Sequence, residues 1–198
     1  MVPALTLLLL QAPAVALENE YVRVTRDGAP CASAAAPGCG ERVIVALGDV
    51  EIRWQGGSRR LSRGDVAVFG ARESHDPPVG GGFFEVAFKP DAPPVTPPAE
   101  HLPPEKNAVL HDGERFLVFE ERLEPGDTRA RHSHNPRVVI QLNATRLRQW
   151  PEGGPEVVRD IVPERPAFNP PVIHVVTNVG ELPLRGVVIE LKPRRDAP

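Results

Sequence analysis

The chain has 198 residues, a length that allows one or two domains. Aromatic residues make up only 5% of it, whereas it contains 24 prolines and 17 glycines, which predicts many short elements separated by turns rather than long helices. The formal net charge is −3 and the basic residues are scattered, so the sequence offers no basic surface of the kind that binds nucleic acid.

The N-terminal segment has the features of a secretory signal peptide. Residues 1–16 contain no charged side chain, residues 6–10 form the apolar run TLLLL, and Ala14-Val15-Ala16 fits an A-x-A cleavage site. No Lys or Arg precedes the run, so either the start is assigned too far downstream or the terminal amine supplies the charge. The run is short for a membrane span. We therefore expect a periplasmic or secreted protein with no membrane span after signal cleavage.

The two cysteines, Cys31 and Cys39, are separated by the loop sequence ASAAAPG. In an exported protein they can form a local disulfide across this loop, and two unpaired thiols are the alternative. Their spacing is not the Cys-x-x-Cys spacing of a redox or zinc site.

The first half of the mature chain reads as a series of short strands. Alternating or apolar runs are separated by Gly-, Asp- and Pro-containing turns, and none has a helical period. The predicted strands cover residues 21–25, 43–47, 50–54, 66–69 and 83–88. This pattern predicts an all-β unit over residues 17–90.

A proline-rich stretch, residues 91–106, follows and predicts an extended linker. The second half then repeats the first. At a shift of 95 positions, RVIVAL at residues 42–47 falls on RVVIQL at residues 137–142. We interpret this internal repeat as a duplication, with a second all-β unit over residues 107–195 whose sheet packs against the first.

His132 and His134 are two residues apart in a segment that leads into the apolar run of the second unit. Residues i and i+2 of a strand point to the same face, so both imidazoles would face one point. Neutral imidazole is a common ligand of transition metals. A polar strand edge with two solvated histidines is the alternative.

These residues resemble the motifs of the cupin superfamily. Gly126, five residues and His132-Ser133-His134 match the beginning of its first motif, and His174 with Asn178 matches the end of its second. Over residues 17–195 the chain is similar to two-domain (bicupin) proteins, especially small bacterial cupins without a settled activity. The resemblance implies an all-β fold of two tandem cupin (jelly-roll) β-barrels.

The resemblance also implies that His132, His134 and His174 converge on one divalent transition metal, which could be Fe, Zn, Mn, Ni or Cu. The glutamate of the first motif would fall at Val138 or Val139 and is missing. The expected site therefore has three imidazole ligands and open coordination positions. It would favour an anionic co-ligand or substrate.

The first unit has lost most of this pattern. Pro37 and Cys39 stand where the second unit has the His-x-His pair, and only His75 remains. We therefore expect a degenerate unit without metal that supports its partner. His101 and His111 are expected to be exposed.

Strict alternation from His134 turns Val138 and Ile140 towards the pocket and Arg137 away from it, unless Pro136 introduces a bulge. The apolar candidates for the pocket wall are Val138, Ile140 and Phe168. The polar candidates for contact with an anionic substrate, if they face inward, are Arg137, Gln141 and Arg148.

Three functions remain open at this point. The first is a mononuclear metal-dependent oxidoreductase, such as a dioxygenase, that acts on a small molecule. The second is a non-catalytic periplasmic protein that binds a small ligand or a metal, and the third is a structural protein without metal. No general acid or base is evident in the pocket, although Glu120, Glu121 or Glu124 could reach inward. The sequence leaves open a monomeric bicupin or a homo-oligomer.

Overall fold

The protein is an assembly of short antiparallel β-strands. The computed structural model describes residues 14–33, 40–103 and 108–193, and within these ranges it contains strands, bridges and turns but no helix. The all-β prediction is confirmed. Consequently, no helix long and apolar enough to cross a membrane occurs in these ranges.

The N-terminal unit consists of two sheets. Its strands are β1 (Ala14–Glu18), β2 (Val22–Arg26), β3 (Arg42–Ala46), β4 (Val50–Trp54), β5 (Gly57–Leu61), β6 (Val66–Phe69), β7 (Val79–Gly80) and β8 (Phe83–Phe88). Sheet A has the order β1-β2-β8-β3-β6, and sheet B has the order β5-β4-β7. Apolar side chains of both sheets fill the space between them, including Ile44 from sheet A and Ile52 from sheet B.

The C-terminal unit also consists of two sheets. Its strands are β9 (Ala108–Asp112), β10 (Phe116–Leu123), β11 (Thr128–His134), β12 (Arg137–Gln141), β13 (Thr145–Pro151), β14 (Val157–Ile161), β15 (Ala167–Asn169), β16 (Val172–Asn178) and β17 (Leu184–Leu191). Sheet C has the order β15-β12-β17-β10-β9, and sheet D has the order β11-β16-β13-β14. In both units the hydrogen-bonded ladders of the described residues leave two facing sheets and do not close into a continuous barrel.

Sheets A and C have the same strand order. Read from one edge, β1, β2, β8, β3 and β6 of sheet A correspond to β9, β10, β17, β12 and β15 of sheet C. Strand β11, which carries His132 and His134, has no counterpart in the described part of the N-terminal unit. The positions that the repeat aligns with these histidines, Pro37 and Cys39, lie outside the described residues. The duplication itself stays a prediction.

The two units share one buried core between sheets A and C. Val43 and Val45 of sheet A belong to the same apolar cluster as Val138 and Ile140 of sheet C. The four sheets therefore stack in the order B, A, C, D. The interior of the N-terminal unit lies between sheets B and A, and that of the C-terminal unit lies between sheets C and D.

This packing shows that the expected orientation of β12 was wrong. Val138 and Ile140 face the central core, whereas Arg137 and Val139 face the interior of the C-terminal unit. The reason is the break between β11 and β12. Strand β11 ends at His134, β12 begins at Arg137, and Pro136 between them has no N–H for a ladder, so the alternation shifts by one residue.

The predicted domain boundaries fall in segments that the structure describes only in part. Strand β1 includes residues 14–16, which the sequence places at the end of the signal peptide, and it pairs with β2. Residues 1–13 and residues 104–107 of the linker lie outside the described residues. The boundaries at residues 16/17, 90/91 and 106/107, and the signal peptide, stay predictions.

Candidate metal site

The structure brings the three predicted histidines together inside the C-terminal unit. His132 and His134 point to the same face of β11, and His174 on β16 is the cross-strand partner of His132. Their ring nitrogens lie within 4.8 Å of one another. All three side chains are buried, with exposed fractions of 2%, 3% and 6%.

The linker holds the strand that carries two of these histidines. The N–H of Ser133 donates to the carbonyl of Leu102 at 2.7 Å, and the N–H of Leu102 donates to Ser133 Oγ at 2.7 Å. The side chain of Ser133 points away from the histidine face because it lies one residue from each of them. The linker therefore pairs with the outer edge of β11 and fixes its position.

Hydrogen bonds at Nδ1 leave Nε2 available on two of the imidazoles. His132 Nδ1 donates to the carbonyl of Ala130 at 2.7 Å, and His134 Nδ1 is 2.8 Å from Glu190 Oε2. Nε2 of His132 and of His174 is buried without a hydrogen-bond partner among the described residues. A buried polar atom without a partner costs about 1–3 kcal/mol, so these atoms fit a site at which an ion completes their coordination.

Burial keeps the three imidazoles neutral. It lowers the pKa of His132 to about 4, and the nearby cation of Arg129 lowers it further. Burial and the neighbouring imidazoles lower the pKa of His174 to about 2, and burial with Arg137 lowers the pKa of His134 to about 2. Neutral imidazole is the form that binds metal ions, so all three are competent ligands at neutral pH.

A carboxylate that sequence reasoning missed adjoins the site. Glu190 on β17 accepts from His134 Nδ1 and, through Oε1, from the N–H of Asn135 at 3.1 Å. Burial raises its pKa, whereas the Asn135 N–H and Arg137 lower it. Glu190 thus partly replaces the carboxylate that is absent from the first motif. It comes from a different strand and contacts Nδ1 of His134, on the side of the ring away from Nε2. Its only signal in the sequence was its place on an alternate position of the last strand.

A cavity of about 380 Å³ opens beside the histidines between sheets C and D. His134 and His174 are in its wall, together with Arg137, Gln141 and Val139. This volume lies in the lower part of the range of about 300–1,000 Å³ that small-molecule sites occupy. The site can therefore admit a small organic molecule next to the three imidazoles.

Besides Val138 and Ile140, two more of the predicted pocket residues lie elsewhere. Phe168 packs against the central core and stacks on Tyr21, with 5.5 Å between the ring centroids. Arg148 is exposed on the far side of sheet D and pairs with Glu156 at 3.3 Å. Arg137 and Gln141, by contrast, face the cavity, which is the condition under which they were candidates for contact with an anionic substrate.

The three glutamates before the His-x-His segment have different environments. Glu121 is in the cavity wall and pairs with Arg129 at 3.0 Å. Glu120 accepts from Arg185 at 2.5 Å, and Glu124 accepts from Arg122 at 2.8 Å near the surface. Only Glu121 reaches inward, and an arginine already neutralises it.

The N-terminal unit has a buried polar cluster in place of a histidine triad. His75 Nδ1 donates to the carbonyl of Asp76 at 2.8 Å, and its Nε2 is 3.9 Å from Glu85 Oε2. Burial raises the pKa of Glu85 to about 7, although the N–H of Cys31 and the cation of Arg42 lower it. The described residues of this unit bring no three metal-ligating side chains together. That the unit lacks metal stays a prediction.

Cys31, His101 and His111 lie outside the candidate metal site. Cys31 is buried and disulfide-bonded, so the alternative of a free thiol at this position is wrong. Cys39 lies outside the described residues. His101 is exposed, whereas His111 is partly buried against the ring of Phe116, with 5.4 Å between ring centroids.

Comparison with known proteins rests on structure. No family model matches the sequence, and a search of curated proteins finds no significant match. A cupin 2 conserved barrel domain protein from Leptotrichia buccalis is similar to 89% of this chain and 86% of its own, with 15% identity and a TM-score of 0.53. The chain has a cupin fold.

Two further structures support this cupin fold over most of the chain. AerE from Microcystis aeruginosa matches 88% of this chain and 88% of its own, with 13% identity and a TM-score of 0.52. Oxalate decarboxylase from Bacillus subtilis matches 92% of this chain and 75% of its own, with 13% identity and a TM-score of 0.53. The resemblance that the motifs indicated is confirmed at the level of the cupin fold, and at these identities the likeness shows the fold alone.

Proposed function

We propose that the protein is a metal-binding cupin that acts as a mononuclear metal-dependent oxidoreductase on a small molecule. His132, His134 and His174 would hold one divalent transition metal ion. The observation that carries the proposal is the pair of buried Nε2 atoms of His132 and His174, which have no hydrogen-bond partner among the described residues. His174 also lies in the wall of a cavity large enough for a small substrate.

The chain's own residues prepare this site in three ways. Burial keeps the imidazoles neutral, the acceptors at Nδ1 fix the orientation of His132 and His134, and the adjoining cavity leaves room for a substrate. When bound, the ion would supply Lewis-acid polarisation of a substrate oxygen or, if it is redox-active, dioxygen activation. Three imidazoles do not distinguish among Fe, Zn, Mn, Ni and Cu.

Metal uptake by protein purified without a His-tag tests the first half of the proposal. We expect about one ion per chain for the wild type and loss of the ion in His132→Ala and His174→Ala. His101→Ala is the matched control, because this histidine is exposed on the linker. A wild type that binds none of the five metals would refute the proposal.

Oxygen consumption tests the second half. The metal-loaded protein is offered thiols, diketones and phenols, and we expect turnover with at least one class that disappears in His174→Ala. Metal binding without turnover across the panel would contradict the oxidoreductase proposal and support the alternative below.

The alternative is a non-catalytic cupin that binds a small ligand or a metal. One observation favours it: the carboxylates near the site are engaged. Glu121 pairs with Arg129, and Glu190 accepts from His134 and Asn135. A general acid or base must be free to exchange a proton with the substrate, and neither group is free in this arrangement.

Export to the periplasm or beyond is part of the proposal. The signal-peptide-like residues 1–16 and the disulfide at Cys31 both support it, since disulfides persist in oxidising compartments. Cell fractionation with N-terminal sequencing of the mature protein tests it. A cytoplasmic protein that retains residues 1–16 would contradict it.

A further inference from the structure

The charges around the cavity do not balance locally. Three arginines line it, Arg137, Arg159 and Arg165, and none has a carboxylate within ion-pairing distance among the described residues. The two carboxylates in the wall, Glu121 and Asp160, pair with arginines that do not line the cavity, Arg129 at 3.0 Å and Arg146 at 3.3 Å. The cavity is therefore electropositive.

Arg137 is the most unusual of these cations. It is only 7% exposed, and within the described ranges its guanidinium makes one hydrogen bond, from Nη1 to the carbonyl of Pro170 at 3.0 Å. A guanidinium has five N–H donors, so most of its donors have no acceptor among these residues. Glu121 and Glu190 attract this cation electrostatically, but neither carboxylate lies within ion-pairing distance of it.

A buried cation that no carboxylate contacts directly is costly, and the cost falls when an anion occupies the adjacent space. We propose that Arg137 binds the carboxylate of a small organic acid in this cavity, beside the three histidines. This inference rests on the proposed function, because it specifies the substrate or ligand class of the same site. It assigns Arg137 as the group that binds the ligand and requires that ligand to carry a negative charge.

The shape and chemistry of the cavity favour a monocarboxylate with an apolar body. A carboxylate is planar and matches the fork of a guanidinium. The wall beyond Arg137 includes the apolar side chains Val139, Ile161, Val172 and Val188, beside polar groups. Arg159 and Arg165 are exposed and lie closer to solvent, where they attract the anion towards the buried anchor.

The test compares acids with their neutral isosteres. Binding of benzoate and benzamide is measured by calorimetry at fixed ionic strength, in metal-free and in metal-loaded protein. We expect benzoate to bind at least about tenfold more tightly than benzamide in the metal-free protein, because a charge-assisted hydrogen bond is lost with the amide. This comparison needs no variant, so it holds even if substitution of Arg137 prevents folding.

Variants then locate the anchor. Arg137→Gln should lower the affinity for benzoate by about tenfold or more, to that for benzamide, and should keep the metal. Arg148→Gln, a surface arginine of sheet D, is the matched control and should bind benzoate as the wild type does. A substitution of Arg137 that leaves benzoate affinity unchanged would overturn the assignment.

The remaining outcomes separate this inference from the proposed function. Equal affinity for benzoate and benzamide in protein that takes up metal overturns the carboxylate anchor and leaves the metal site intact. A preference for benzoate in protein that never takes up metal supports the anchor and overturns the proposed function. Tighter binding of phenyl phosphate than of benzoate would assign the cavity to phosphate and overturn the choice of a carboxylate.

Discussion

The acceptor at His134 Nδ1 decides how this imidazole faces the candidate metal position. The Glu190 carboxylate accepts from Nδ1–H, which leaves the lone pair of Nε2 for the space between the three imidazoles. Such supporting carboxylates raise the basicity of the ligand and restrain its ring. At the scale of single residues, Glu190 is therefore a positioning residue for the metal site.

Replacement of this carboxylate should weaken metal binding without abolishing it. We expect Glu190→Gln to raise the dissociation constant for the metal by about 10–100-fold, because the amide is a weaker acceptor for Nδ1–H. Competition with a chromophoric chelator measures the constant. Glu124→Gln, which removes a surface carboxylate, is the control and should leave it unchanged. An unchanged constant in Glu190→Gln would contradict the positioning role.

A second residue-scale prediction concerns the buried glutamate of the N-terminal unit. Burial raises the pKa of Glu85 from 4.5 to about 7, so the unfolded chain loses this proton at a lower pH than the native protein does. The contribution of Glu85 to stability is then fully present below about pH 4.5 and is lost as the pH rises through about 7. The loss amounts to about 3 kcal/mol.

The difference between wild type and Glu85→Gln isolates this effect. The pKa of the neighbouring His75 is lowered by burial, so its own pH dependence has the opposite sign and cancels in the comparison, as does that of Arg42. We expect Glu85→Gln to gain stability relative to the wild type between about pH 4 and about pH 8 in urea denaturation. Parallel pH profiles for the two proteins would contradict the raised pKa.

The histidines were predictable at this scale and Glu190 was not. A spacing of two residues on a strand places His132 and His134 on one face, and the resemblance to cupin motifs added His174. Glu190 lies 56 residues from His134 along the chain. It reaches that ring only because β17 pairs with β12 in the register that sets Arg137 opposite Glu190, and register between distant strands is not visible in one sequence.

At the scale of elements, Asn178 joins the ends of several strands around the site. Its Nδ2 donates to the carbonyls of Leu123 and Leu182, each at 2.9 Å, and its Oδ1 accepts from Thr145 Oγ1 at 2.7 Å and from the N–H of Gly180 at 3.0 Å. The side chain is fully buried. It thus ties the end of β10, the start of β13 and the β16–β17 turn together.

Loss of this amide should be costly. We expect Asn178→Ala to lower the free energy of unfolding by about 2–4 kcal/mol, since the buried carbonyl of Leu123 and the N–H of Gly180 lose the side-chain partner that each has here. Asn143→Ala is the control, because Asn143 makes one longer side-chain bond, 3.3 Å to Pro183, in the same region. Chemical denaturation measures both, and an equal, small effect of the two substitutions would contradict the role of Asn178.

The positions of most strands could be predicted from the sequence. Which residues of β12 face the cavity could not. Apolar runs and turn residues marked most strands of the N-terminal unit in the sequence. The facing of Arg137 depends on the break at Asn135-Pro136, where the chain leaves one sheet and enters the other. A period of two holds only within one uninterrupted strand, so alternation from His134 could not cross this break.

At the scale of the whole molecule, the two units are joined by a common core rather than only by the linker. Phe88 of β8 stacks on Phe116 of β10 with 4.4 Å between ring centroids. Arg63 of the first unit bonds Glu164 and the carbonyl of Leu142 of the second, each at 2.7 Å. Neither unit can expose this face without losing a large part of its buried apolar surface.

The molecule should therefore unfold in one cooperative step. Its two tryptophans, Trp54 in β4 and Trp150 in β13, lie one in each unit, so Trp54→Phe and Trp150→Phe give separate fluorescence probes. We expect the urea midpoints from the two probes to coincide. Phe116→Ala should lower the free energy of unfolding by about 3–5 kcal/mol and shift both midpoints together. Two separate transitions would contradict a shared core.

The central claim is that the three imidazoles hold one metal ion, and anomalous X-ray diffraction from crystals of the metal-loaded protein tests it most directly. We expect a single strong anomalous peak at about 2.0–2.2 Å from Nε2 of His132, His134 and His174. The peak should be absent from crystals of His174→Ala grown with the same metal. A peak at another position, or none in the wild type, would contradict a metal site at these three histidines.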